Sequence, residues 1–132
     1  MKLLIDHNLS PALAHSIQPL FPFHQIVALR DRFPTDVTDI EWMTTLSNEG
    51  GWAALTRDLG IKRKPHERLA LDRSRIVFFF LSGNAWKGFS VPETAARLIR
   101  LLPKMITQTD LADRGRFDLP INAGSKLQPH RD

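Results

Sequence analysis

The sequence predicts an α/β domain built on a central, mainly parallel sheet of four to five strands. Three observations point there. Short apolar segments alternate with helix-like segments as far as residue 102. The strand segments are apolar without alternation, the pattern of strands covered on both faces. Two of them, Leu3-Leu4-Ile5-Asp6 and Ala53-Ala54-Leu55-Thr56-Arg57-Asp58, end on an aspartate. In parallel sheets ligands gather beyond the carboxyl ends of the strands.

Each element follows from local chemistry. Residues 2–6 form the first strand. Ser10 and Pro11 supply an N-cap and a first helical residue, and Leu13, Ala14, Ile17 and Leu20 make one apolar helix face that Pro19 and Pro22 terminate. Residues 25–29 read as the second strand and 30–34 as a loop. Thr38-Asp39-Ile40-Glu41 has capping-box form, so a helix starts there, carries Ile40, Met43 and Leu46, and stops at Gly50-Gly51. Residues 52–56 are the third strand and 65–71 a short basic helix. Residues 75–81 are the fourth strand, and Ser82-Gly83-Asn84 is a turn. Val91-Pro92-Glu93 opens a helix with Ala95, Leu98, Leu101 and Leu102 in its core stripe, closed by Pro103. Residues 115–121 add a short edge strand. Trp42, Trp52 and the Phe78–Phe80 block belong to the core, whereas Trp86, just past a turn, is expected to be partly exposed. With no repeat and no long linker, residues 1–121 are expected to form one domain, and 122–132 a polar tail that frays.

Composition narrows the function classes. The chain has 132 residues and a formal net charge of +4. Absence of cysteine excludes disulfides and zinc–thiolate sites. No apolar stretch approaches the ~20 residues that span a bilayer. Asp6 and His7 interrupt any signal-peptide core, so a cytoplasmic protein is expected. Between Arg57 and Arg75 seven Lys or Arg face three acids. A basic segment starting beside Asp58 suits a polyanion, although basic runs are usually solvated helix faces.

Four carboxylates carry the chemistry: Asp6, Asp39, Glu41 and Asp58. Asp6 and Asp58 sit at strand ends. Asp39 and Glu41 start the helix that must run back before the third strand rises, so they share that rim. Unpaired like charges are costly together, and such a rim calls for a cation. Oxygen donors from separate segments suit Mg²⁺ or Mn²⁺, which activate water at a phosphodiester. Simpler readings compete: Asp6 as a helix cap, Asp39 and Glu41 as favourable helix-start charges, Asp58 as a surface partner of Arg57 or Lys62. Among the five histidines only His7 lies on the rim.

The motifs Leu4-Ile5-Asp6-His7-Asn8, Thr38-Asp39-Ile40-Glu41-Trp42 and Leu55-Thr56-Arg57-Asp58 resemble those of the PIN and PIN-like nucleases, which include the VapC-type toxins of bacterial toxin–antitoxin pairs. The likeness is to the short PIN-like branch, where an Asp-x-Asn start precedes a Thr-x-Asp element, and it covers about residues 1–105. It implies a three-layer α/β/α sandwich and Mg²⁺- or Mn²⁺-dependent cleavage of RNA. It further implies an antitoxin protein that blocks the acidic pocket, and frequently a homodimer. Asp6, then Asp39 or Glu41, then Asp58 match the family's acids, with Asp6, Asp39 and Asp58 holding the ion and Glu41 assisting it or acting as base. Asn8 and Thr56 orient the acids or the metal's waters, and Arg57, Lys62, Arg63 and Lys64 contact phosphates. One departure stands out: the usual pattern has another acid shortly after the third, whereas Leu59, Gly60 and Ile61 follow Asp58. That suits a thinner metal site, or a degenerate PIN-like module that binds RNA or a partner protein without cleavage. A response-regulator-like phosphoacceptor ranks last, because Leu81-Ser82-Gly83 ends the fourth strand with no lysine.

Overall fold

Apolar tetrapeptides with no polar face must be covered on both sides, and the sheet provides that. The computed structural model describes residues 1–57 and 64–131. Six strands form its sheet: β1 (Lys2–Ile5), β2 (Gln25–Ala28), β3 (Trp52–Arg57), β4 (Ile76–Leu81), β5 (Gly115–Asp118) and β6 (Gln128–Pro129). Their order is β2-β1-β3-β4-β5-β6, with the first five parallel and β6 antiparallel to β5. The helices are α1 (Ala12–Ile17), α2 (Leu29–Arg32), α3 (Asp39–Glu49), α4 (Pro65–Arg73), α5 (Asn84–Lys87) and α6 (Val91–Leu111). Among the described residues no helix is long and apolar enough to cross a membrane.

Alternation along the strands sorts the core into two. Leu3, Ile5, Leu55 and Phe79 face α1 and α6, where Leu13, Ile17, Leu98 and Leu102 meet them. Leu4, Ala54, Phe78 and Phe80 face α3 and α4, packed by Trp42, Met43, Leu46 and Leu71. The result is the expected three-layer sandwich. The helix that matters most for the site is α3. Thr38 Oγ1 accepts from the Glu41 backbone N–H at 3.1 Å, as the capping-box pattern predicts. Its other end needs two residues at positive φ in succession, Gly50 at 79° and Gly51 at 74°, a pair that only glycines adopt without strain.

Several expectations change. The chain continues as a helix through Pro103, which was expected to end it. Proline removes a hydrogen bond at a cost of about 3 kcal/mol. Leu101, Leu102 and Met105 around it are all buried, at ~1.5–3 kcal/mol each, so burial wins. Residues 29–32, expected to be the end of the second strand and the start of a loop, form the single turn α2. Trp86 is 1% exposed, not partly open: α5 turns it inward, where its Nε1 donates to the Leu119 carbonyl at 3.2 Å. The sheet has six strands and not four to five, because the C-terminal segment expected to fray returns as β6. β5 is therefore an interior strand. His130 fastens that return: its ring stacks on Phe80 with centroids 4.0 Å apart, and its Nδ1 lies 2.5 Å from Asp118 Oδ1.

Candidate functional site

The site starts where β1 ends. Asp6 is the first residue past the strand, and its backbone N–H still donates to the Leu55 carbonyl of β3 at 2.9 Å. It has the same facing as Leu4, toward α3, and it is 1% exposed. Three donors meet its carboxylate. The His7 backbone N–H reaches Oδ1 at 2.7 Å, His7 Nδ1 lies 2.8 Å from the same oxygen, and the Thr56 hydroxyl donates to Oδ2 at 2.8 Å. No N–H of α1 bonds that carboxylate among the described residues, so the helix-cap reading of Asp6 fails; Ser10 Oγ takes the Ala12 N–H instead.

A relay holds the Thr56 proton on Asp6. Asn8 Nδ2 donates to Thr56 Oγ1 at 3.1 Å, and of the two acceptors in reach of the hydroxyl's single hydrogen, the Arg57 carbonyl at 3.1 Å and Asp6 Oδ2 at 2.8 Å, the nearer, charged carboxylate takes it. Asn8 Oδ1 is then left buried, with no hydrogen-bond partner among the described residues. Thr56 is fully buried on the same facing as Asp6. The second carboxylate, Asp39, comes from the first turn of α3. Trp42 Nε1, one turn along, donates to its Oδ1 at 3.0 Å and fixes its direction. Trp42 is itself pinned in the core against Phe78.

Asp6, His7 and Asp39 each offer a ligand atom, and these atoms lie within 4.8 Å of one another. The pKa of Asp6 is raised, first by desolvation. The Thr56 hydroxyl, the charge of His7 and the His7 N–H pull it back, and the charge of Asp39 pushes it further up. A buried carboxylate beside a second one is an energetic liability that a cation would remove.

The donor set fits a hard divalent ion. A carboxylate has about four lone-pair directions and the donors on Asp6 use three, so one remains. In an octahedral shell with ~2.1 Å metal–oxygen distances, opposite ligands lie about 4.2 Å apart and neighbouring ones about 3 Å, so from the 4.8 Å bound the two carboxylates would draw together by about 0.6 Å to face each other across an ion, or about 1.8 Å to sit side by side. Asn8 Oδ1 is a further buried oxygen in want of a donor or a cation. His7 is 51% exposed, and its Nδ1 serves Asp6 at hydrogen-bond distance.

The other anticipated residues are distributed unevenly. Glu41 is exposed in the first turn of α3 and lies outside the Asp6–His7–Asp39 group. Arg57 ends β3, and alternation puts it on the opposite face from Thr56. Its Nη1 is buried without a hydrogen-bond partner among the described residues. Lys64 is exposed at the start of α4. Asp58, Lys62 and Arg63 lie outside the described residues. Sequence reasoning missed two contributors. Trp42 reads as a core residue, and only its i, i+3 spacing from Asp39 hints that its N–H reaches the acid. Arg30, taken as loop, donates from Nη2 to the His7 carbonyl at 3.3 Å, and nothing in its sequence neighbourhood signals that.

Among known proteins, a family model described as a PIN-like domain matches residues 1–83. That span contains Asp6, His7, Asn8, Asp39 and Thr56. No curated protein and no solved structure matches the chain.

Proposed function

The chain belongs to the PIN-like domain family, and from that premise we propose that it is a metal-dependent ribonuclease, the toxin of a bacterial toxin–antitoxin pair acting in the cytoplasm. The observation that carries this reading is the convergence of Asp6 and Asp39, from segments far apart in sequence, on the carboxyl rim of the sheet. A Mg²⁺ or Mn²⁺ ion bound there would supply a water of lowered pKa and neutralise charge on a phosphodiester. Asp6 and Asp39 hold the ion, joined by Asp58 just past the end of β3. Thr56 and Asn8 keep the Asp6 carboxylate turned toward it. Glu41, on the exposed first turn of α3, assists from the solvent side as a base. Arg57, Lys62, Arg63 and Lys64 draw the RNA backbone over the rim, which makes binding fall with added salt. The partner is a small antitoxin protein that covers the acidic pocket, and the active species is a homodimer.

Incubating RNA with the protein and Mn²⁺ or Mg²⁺, beside an Asp6→Ala variant, tests the reading. Cleavage by the parent and its loss in the variant support it. Equal activity in both removes it. RNA binding that EDTA leaves unaltered, without cleavage, would instead support the degenerate binding module.

A further inference from the structure

We propose that the hollow beside His7 is a nucleobase pocket that seats one base of a single-stranded RNA next to the acidic centre; this rests on the nuclease reading above. A cavity of about 290 Å³ opens between the β1–α1 turn and the segment after β2, lined by His7, Leu29, Arg30, Pro34, Thr35 and Val37. That volume is at the small end for ligand pockets. Its chemistry is that of a flat aromatic guest. Leu29, Pro34 and Val37 form apolar walls, and Thr35 adds a hydroxyl for a base edge. The imidazole of His7 and the guanidinium of Arg30 are planar groups of the kind on which splayed-out bases stack. The Arg30 bond to the His7 carbonyl ties the two sides of the pocket together, so the platform is set before a ligand arrives. His7 belongs at once to this pocket and to the Asp6–His7–Asp39 group, so a base seated here brings its own phosphate to the carboxylates.

A scan of short RNA oligonucleotides, each with one abasic residue, separates this proposal from the cleavage reading. Binding is measured by fluorescence anisotropy to an Asp6→Asn variant in Mn²⁺, so that cleavage plays no part. One abasic position is expected to weaken binding about tenfold, ~1.4 kcal/mol, while the others change it little. Val37→Trp, which fills the pocket, should flatten the scan, and Arg30→Ala, at an exposed position, should shrink the tenfold effect to about threefold. A flat scan in the Asp6→Asn protein, no RNA binding at all, or a position effect unchanged by both variants would overturn the pocket. Cleavage by the parent protein together with a flat scan would remove the pocket alone. A position effect without cleavage by the parent would keep the pocket and remove the nuclease.

Discussion

Replacing Asp6 with asparagine should stabilise the metal-free protein near neutral pH, an unusual outcome for a buried hydrogen-bonded residue. Asp6 and Asp39 place ligand atoms within 4.8 Å of each other. Two unit charges at that distance repel by roughly 1 kcal/mol with full water screening and about 3.5 kcal/mol at an effective dielectric of 20. The amide removes that repulsion and the desolvation of the charge, and it keeps an oxygen for the His7 N–H. The raised pKa of Asp6 states the same balance with the hydrogen bonds already counted. A carboxyl that holds its proton more tightly when folded costs the native state stability once the unfolded chain ionises. The parent should therefore lose stability relative to Asp6→Asn as pH climbs from the ordinary carboxyl value through the raised folded value, with a constant gap above. At about 3–5 °C per kcal/mol for a chain of this size, the variant should melt roughly 3–15 °C higher at pH 7 in EDTA. Mn²⁺ reverses the order: at a hundred times its dissociation constant it should add about 2.7 kcal/mol to the parent and little to the variant. Differential scanning fluorimetry across pH, with and without Mn²⁺, reads all three effects. A variant that melts lower than the parent in EDTA at pH 7, with an equal response to Mn²⁺, would refute the electrostatic reasoning.

Other consequences are simpler to read. Thr56→Val keeps the shape but strands Asp6 Oδ2 and Asn8 Nδ2, so urea denaturation should show a loss of ~1–3 kcal/mol. Calorimetric titration should show Mn²⁺ affinity falling about 10- to 100-fold, and unchanged affinity would deny the relay its orienting role. His130→Ala removes a stacked ring and a hydrogen bond to Asp118 and should cost about 2–4 kcal/mol in urea; no loss would mean that the C-terminal strand is not held as described. Pro103→Ala restores a donor inside α6 at an exposed position and should raise stability by ~1–3 kcal/mol; a fall in melting temperature would contradict the unbroken helix.

The layered architecture is readable from the chain because both-face burial leaves a plain signature, apolar runs such as Ile76-Val77-Phe78-Phe79-Phe80-Leu81, and because Thr38-Asp39-Ile40-Glu41 marks a helix start by its own chemistry. The convergence of Asp6 and Asp39 follows from chain direction alone. Departures occur where tertiary contacts outvote local signals. Pro103 normally ends a helix, but the stripe from Leu98 to Met105 is worth more buried than one hydrogen bond. The polar C-terminal segment carries no strand pattern, and it pairs because His130 finds Phe80 and Asp118, which no local window connects. Glu41 illustrates the limit of spacing: two residues from Asp39, it is turned about 200° around the helix, more than half a circuit, and faces solvent. Arg30 enters the site through a backbone carbonyl 23 residues distant, a contact that residue type does not encode.

The central claim is that Asp6 and Asp39 together bind a divalent ion. Crystals grown with Mn²⁺ and measured for anomalous scattering test it at the atoms themselves. The expected result is a peak about 2.0–2.2 Å from an oxygen of each carboxylate, close to His7 and Asn8. A map with no peak between those two residues at saturating Mn²⁺ would contradict it.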